Sequence, residues 1–122
     1  MAETSYPAAA RQLVADVPDL APALDEHLGF YSEFLLHVFF GDVSRYADDV
    51  ARARDSGKAA RLASALETMA NRYPDTDNAL QVSFIEWFLW GDEEEQSRYE
   101  WLKQFTGPRM LALTREFIEM YE

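Results

Sequence analysis

Cysteine is absent from this chain of 122 residues, and histidine occurs only twice. Without cysteine no disulfide bond or thiolate metal site can form, which is typical of a protein in a reducing compartment and predicts a cytoplasmic location. The HExxH, GxSxG, EF-hand and glycine-rich phosphate-loop motifs are also absent from the sequence. We therefore expect no metal, no cofactor and no enzymatic activity.

Long apolar runs are missing as well. The uninterrupted hydrophobic stretches are much shorter than the ~18–20 residues that a membrane-spanning helix needs. The N-terminal segment, MAETSYPAAARQL, lacks the basic and then apolar regions of a signal peptide. A hydrophobic content of 48% nevertheless indicates a folded globular protein. We expect one soluble domain over residues 1–122, with no membrane association.

Basic residues are scarce: 11 Lys and Arg stand against 22 Asp and Glu, giving a net charge of −11. The acidic excess lies in two parts, with seven acids and one base in residues 1–44 and eight acids and one base in residues 75–100. Direct binding to nucleic acid is not expected, because it requires Lys and Arg to neutralise phosphates. A protein partner with a basic face is the complementary expectation, and acidity that serves only solubility is the alternative.

Apolar residues recur with helical spacing almost throughout, and no window alternates convincingly with the period of a strand. Proline and glycine divide the chain into about six to seven short helices, with breaks at Pro18, Gly29, Gly41, Pro74, Gly91 and Gly107. The pattern predicts an all-α fold, a single-domain bundle of short helices joined by tight turns.

Two segments resemble each other within the chain. The apolar helix of residues 30–40 is followed by Gly41 and Asp42, and the apolar helix of residues 77–90 by Gly91 and Asp92. In both places we expect glycine to end a helix and aspartate to cap the next one. Two related helix-Gly-Asp-helix hairpins would result; the alternative is coincidence, because Gly-Asp is a common helix break.

Residues 79–92, ALQVSFIEWFLWGD, form the most apolar helix, with nine apolar residues among the twelve from Ala79 to Trp90. At 100° per residue, Ser83, Glu86 and Trp90 share one arc. The opposite arc holds Phe84, Ile85, Phe88 and Leu89 and is expected to face the core. Trp90 is then either an exposed contact residue or packed against Tyr99 or Trp101.

Four consecutive acids, Asp92, Glu93, Glu94 and Glu95, follow this helix. Asp92 and Glu95 have the spacing of a capping box, with Asp in place of the usual Ser or Thr. Four acids exceed what capping needs, so we interpret the cluster as part of a partner-binding surface. If the two Gly-Asp turns lie at the same end of the bundle, the surface gains three further acids. The predicted partner-binding residues are Trp90, Asp92, Glu93, Glu94, Glu95, Glu86, Asp42, Asp48 and Asp49.

Catalysis has weaker support. Neither His27 nor His37 lies in a motif, and Glu33 precedes His37 by four residues, so these two would pair on one helix face. Glu86 is the best single candidate for a general acid or base because it lies in the most apolar helix.

EHLGFYSEFLLHVFFGDVSRY, ALQVSFIEWFLWGD and FTGPRM resemble segments of small, acidic, all-helical bacterial proteins of an uncharacterised family. The resemblance covers most of the chain and involves structural motifs rather than catalytic residues. Small acidic proteins of this kind often act as immunity partners of secreted bacterial toxins. The resemblance therefore implies an immunity protein.

Charge, missing motifs and resemblance together lead to one main hypothesis. The chain is a non-enzymatic immunity protein that binds and neutralises a cognate toxin with a basic face, more readily a nuclease than another type. The alternative is a regulatory or adaptor module that acts by protein–protein interaction or homodimerisation; a monomer is the expected state. An enzyme using Glu86 is the least favoured hypothesis.

Overall fold

Seven α-helices follow one another in the computed structural model, which describes residues 6–30 and 36–120, except for the side chains of residues 29, 30 and 36. They are α1 (Tyr6–Asp16), α2 (Ala21–Phe30), α3 (Leu36–Arg52), α4 (Ser56–Arg72), α5 (residues 77–89), α6 (Glu93–Lys103) and α7 (Pro108–Met120). Short 3-10 turns at Pro18–Leu20 and Pro74–Thr76 precede α2 and α5. No strand occurs within these ranges, so the predicted all-α bundle is confirmed.

Within the same ranges, no helix combines the length and the apolar character that crossing a lipid bilayer requires.

The core is centred on α3, which packs against α4 and α5. Fully buried side chains come from every one of these helices; the largest are Phe39, Phe40, Leu62, Leu66, Met69, Leu80, Ile85 and Phe88. Burial of each contributes about 1.5–3 kcal/mol relative to exposure. Helix α6 adds Tyr99, whose hydroxyl lies 2.6 Å from Oγ1 of Thr114 in α7. This hydrogen bond satisfies a hydroxyl group that would otherwise be costly to bury.

Helix α3 runs without interruption through Gly41 and Asp42, so the predicted helix end at Gly41 and the predicted cap at Asp42 are wrong. Gly41 lies between the buried residues Phe40 and Val43. Continuing this buried stripe outweighs the ~1 kcal/mol that glycine costs inside a helix. No glycine in the described part of the chain has a positive φ.

Helix α3 ends at Arg52, 11 residues after Gly41, and Arg54, which follows the helix, has φ 53. The N–H of Arg54 donates to the carbonyl of Ala51 and the N–H of Asp55 to that of Val50, both at 3.1 Å. These two bonds form a Schellman motif, in which arginine holds the left-handed position that glycine usually takes. Since α3 does not break at Gly41, the two predicted helix-Gly-Asp-helix hairpins are not repeats of one unit. Residues 31–35, which belong to the first predicted hairpin, lie outside the residues that the structure describes.

Helix α5 contains a π-helical segment, Leu80–Ile85, between α-helical turns Asp77–Ala79 and Glu86–Leu89. Its wider turn places Leu80, Phe84 and Ile85 in the core together. The segment is held from both sides, because Ser44 donates to the carbonyl of Ser83 at 3.1 Å and Gln81 donates to the carbonyl of Leu113 at 3.1 Å. Phe84, Ile85 and Phe88 are buried as predicted, and Leu89 is half-buried.

Asp48 joins α3 to α6. Its carboxylate is almost fully buried and accepts hydrogen bonds from Arg98 and, at 2.9 Å, from Arg52. Asp48 and Arg52 are four residues apart in α3, a spacing at which side chains on a helix meet. The hydrogen bond to Asp48 raises the pKa of Arg98, so the guanidinium stays charged in this partly buried position. Arg45 of the same helix pairs with Asp42, three residues before it.

The start of α7 is fixed by two acids from other helices. Glu67 of α4 accepts hydrogen bonds from the backbone N–H groups of Arg109 at 2.8 Å and Met110 at 3.0 Å. Asp77, at the start of α5, accepts from Nε and Nη2 of Arg109 at 3.1 and 2.7 Å. A carboxylate at a helix N-terminus satisfies free N–H groups and interacts favourably with the helix dipole.

Candidate protein-binding surface

Trp90 lies directly after α5, where its N–H still donates to the carbonyl of Glu86 at 2.9 Å. The residue is 58% exposed, and its ring centroid lies 5.8 Å from that of Phe117 in α7. Of the two alternatives left open by the sequence, an exposed Trp90 and a Trp90 packed against Tyr99 or Trp101, the structure shows the exposed one. Tyr99 lies against Phe88, and Trp101 lies against Phe105.

Two surface depressions share Trp90 as a common wall. The larger, with a volume of about 660 Å³, lies between α5, α6 and α7 and is lined by Leu89, Trp90, Glu93, Gln96, Ser97, Glu100, Phe117 and Ile118. The smaller, about 360 Å³, lies between α3 and α5 and is lined by His37, Val82, Ser83, Glu86, Trp87 and Trp90. We call the two depressions together the Trp90 surface.

Acidic side chains border both depressions. Glu93 and Glu100 are exposed at the larger one, and Glu86 is half-exposed at the smaller one. Lys103 donates to Glu100 at 2.9 Å, which partly offsets that charge. The apolar side chains between these acids include three that are at least 40% exposed: Val82, Trp90 and Ile118. The Trp90 surface is therefore an apolar centre with a negative rim.

The acids after α5 divide into two roles. Asp92 and Glu95 form the predicted capping box: Asp92 accepts from the N–H of Glu95 at 2.9 Å, and Glu95 accepts from the N–H of Asp92 at 3.4 Å. Their carboxylates thus stabilise the start of α6. Glu94 has a side chain that is 85% exposed and lies 3.8 Å from Arg98. Glu93 is the acid of this cluster that lines the larger depression.

The three predicted acids of α3 do not join the Trp90 surface. Asp48 is buried in its pair with Arg98, so the prediction that it contacts a partner is wrong. Asp42 is a helix-interior residue paired with Arg45, and Asp49 is exposed on the same helix. Neither lines either depression. The expected bridge failed because Gly41 and Asp42 do not form a turn.

His37 and Ser83 form a polar contact inside the smaller depression. Nδ1 of His37 lies 2.9 Å from Oγ of Ser83. This is a hydrogen-bonding role at the edge of α5, while Glu33, the partner expected for His37, lies outside the described residues. His27 is buried beside Phe39, with ring centroids 6.4 Å apart. No group of three or more potential metal ligands occurs in the ranges that the structure describes.

Sequence reasoning missed the contribution of α7. In this helix Phe117 is 3% exposed, whereas Ile118 is 40% exposed. Consecutive residues of a helix differ by 100°, so Ile118 falls at the edge of the buried face and reaches the Trp90 surface. Helical periodicity could have suggested this edge position. It could not have shown that α7 packs beside Trp90, because that contact joins residues far apart in the chain.

A family model described as "Domain of unknown function (DUF7674)" matches residues 10–122, nearly the whole chain. No curated protein and no solved structure matches the chain. The predicted membership of an uncharacterised family is confirmed by the match, which carries no information on toxin immunity. The chain belongs to the DUF7674 family.

Proposed function

We propose that this chain is a non-enzymatic immunity protein that binds and neutralises a cognate toxin through the Trp90 surface. The observation that carries the proposal is the position of Trp90, 58% exposed and shared by two depressions with acidic rims. Tryptophan is the residue type most enriched among the side chains that dominate binding energy at protein interfaces. A folded protein gains little stability from exposing so large an apolar side chain.

The rim supports a partner with a basic face. Glu86, Glu93 and Glu100 surround the apolar centre, and the chain as a whole carries a net charge of −11. Opposite charges on the two proteins accelerate encounter and disfavour acidic competitors. A nuclease fits this requirement, because it must present Lys and Arg to bind phosphates. The toxin favoured here is therefore a nuclease whose basic face is covered by the acidic protein.

The second candidate function, homodimerisation as an adaptor module, is disfavoured by the same rim. In a two-fold symmetric dimer the same patch serves both subunits. The glutamates that border Trp90 would then face identical glutamates across the interface, and juxtaposed like charges oppose association. Sedimentation of the purified chain tests this point, and a monomer is expected.

Binding to the toxin encoded by the adjacent gene is the decisive experiment. The wild-type protein should form a complex and protect toxin-expressing cells. Trp90→Ala should raise the dissociation constant of the toxin complex by roughly 30-fold or more, because this is the effect of losing a dominant interface residue. Glu93→Gln should slow association at low salt and have less effect at high salt, because screening weakens the charge attraction.

Two control variants match these changes. Leu28→Ala removes another exposed apolar side chain, and Asp49→Asn neutralises another exposed acid; neither residue lines the Trp90 surface. Both controls should bind like the wild type. Absence of a complex at micromolar concentration, or failure to protect cells, would reject the proposal.

A further inference from the structure

We infer that the smaller depression of the Trp90 surface is a receptor for one arginine side chain of the protein partner. The partner rests on the proposed function, whereas the chemistry of the receptor rests on the residues that line it. Two indoles, Trp87 and Trp90, and one carboxylate, Glu86, line the same depression of about 360 Å³. Aromatic faces together with a nearby carboxylate form the environment that a protein offers to an organic cation.

The helix spacing brings these three groups together. Glu86 and Trp90 are four residues apart and Trp87 and Trp90 three apart, so each pair shares a face of the chain where α5 ends. The lining of the depression by all three agrees with this spacing. One side chain entering between α3 and α5 could therefore contact an indole and a carboxylate at once.

The indoles are held in place by the protein itself. The ring of Trp87 meets that of Phe88 edge to face, with centroids 4.9 Å apart. Trp90 lies beside Phe117, with centroids 5.8 Å apart. Side chains that are ordered before binding lose less conformational entropy when a ligand arrives. The depression is thus partly preorganised for its occupant.

Charge inside the depression favours a cation. His37 and Ser83 already bond to each other across the space between α3 and α5 at 2.9 Å. In the ranges that the structure describes, no lysine or arginine pairs with Glu86, whereas Asp42, Asp48 and Asp77 each pair with an arginine. Glu86 is therefore the acid of this depression that an incoming cation can neutralise.

Arginine fits better than lysine for two reasons. A guanidinium group is planar and stacks on an indole, and its paired N–H groups match a carboxylate. Lysine presents a compact and strongly hydrated charge that does neither. The chain itself contains an arginine on an indole: the guanidinium carbon of Arg54 lies 5.3 Å from the ring centroid of Trp101.

Titration of the full-length, isotope-labelled protein with Nα-acetyl-arginine amide tests the receptor without the toxin. The indole N–H resonances of Trp87 and Trp90 should shift and saturate. That of Trp101, which lines neither depression, should not move. The citrulline amide, a neutral isostere of arginine, should give no saturable shift, and the lysine amide should bind more weakly than the arginine amide.

Two variants sharpen the result. Glu86→Gln should weaken arginine amide binding by roughly two- to fivefold, the size of one exposed charge contact. Glu93→Gln also removes one negative charge, but from the larger depression. It should change arginine amide binding by less than about twofold, because Glu93 lies farther from the bound cation and solvent screens its charge. An equal response to citrulline, tighter binding of lysine, or no shift with arginine would overturn the inference.

The toxin complex separates this inference from the proposed function. Equal toxin affinity of the wild type and Glu86→Gln would reject the arginine receptor and leave the immunity function standing. Saturable binding of arginine amide by a protein that forms no complex with the toxin would support the receptor and reject the immunity function.

Discussion

Gly107 leaves the space that the carboxyl group of Glu67 occupies: a Cβ atom built on Gly107 would lie 2.6 Å from Cδ of Glu67. This is much closer than van der Waals contact, so any side chain at residue 107 must displace the carboxylate that caps α7. The glycine before Pro108 is thus explained by the cap and not by a left-handed backbone, since its φ is not positive.

We expect Gly107→Ala to destabilise the protein by about 1–2 kcal/mol, because it removes Glu67 from the N–H groups of Arg109 and Met110. Urea denaturation measures the loss. In a Glu67→Ala background the clash and the cap are both gone. Gly107→Ala should then lower the free energy of unfolding by less than it does in the wild type. Additive effects of the two substitutions would contradict the relationship, because residues that act through one contact are coupled.

Gly41→Ala is expected to stabilise the protein by about 0.5–1 kcal/mol, because alanine is the better residue inside a helix. Space is available, since the nearest side-chain atom to the added Cβ is Nη1 of Arg45 at 4.0 Å. The midpoint of urea denaturation checks the change. A loss of stability would contradict an uninterrupted α3 with space for a Cβ atom at Gly41.

Asp48→Ala should destabilise the protein by about 3 kcal/mol, because it leaves the partly buried guanidinium of Arg98 without its main acceptor. Asp49→Ala, one residue further along α3, is the matched control; Asp49 is exposed, so the change should stay within ~0.5 kcal/mol. Thermal unfolding of both variants gives the comparison. Equal stability of the two would contradict the buried ion pair.

Alkaline pH should reveal the burial of Tyr99. Burial raises the pKa of Tyr99 to about 12, and the hydrogen bond with Thr114 lowers it by a smaller amount. Below about pH 10 both folded and unfolded states keep the proton; between about pH 10 and 12 only the folded state does, so stability falls as pH rises.

Between about pH 10 and 12 the free energy of unfolding of the wild type should therefore fall by roughly 2–3 kcal/mol more than that of Tyr99→Phe. Urea denaturation at several pH values measures both. The other tyrosines are common to both proteins and cancel. They include Tyr46, whose pKa is raised by burial and by its hydrogen bond to Asp19. Identical slopes for the two proteins would contradict the assignment.

Features that depend on residues three or four apart could be predicted from the sequence. The capping box of Asp92 with Glu95 and the pair of Asp48 with Arg52 are of this kind. Helical angles also placed Trp90 on the arc opposite Phe84, Ile85 and Phe88, although they left open whether it was exposed or packed. Local geometry fixes these contacts once a helix forms.

Features that depend on distant residues could not be predicted in this way. Asp48 is buried because Arg98, 50 residues later, neutralises it. Gly41 is helical because the stripe around it is buried against other helices, which overrides its local preference. The position of Phe117 of α7 beside Trp90 likewise depends on how the helices pack against one another.

The π-helical turn at Leu80–Ile85 sets the angular phase between the two halves of α5. This turn takes up about one residue more than an α-helical turn, so deleting one residue there would restore a regular α-helix and leave Glu86 and Trp90 near their present directions. Deleting one residue between Glu86 and Trp90, where the helix is α-helical, would instead rotate Trp90 by about 100° away from Phe117. The π-helical turn is therefore the place in α5 where the chain can lose a residue and still keep the direction of its binding surface.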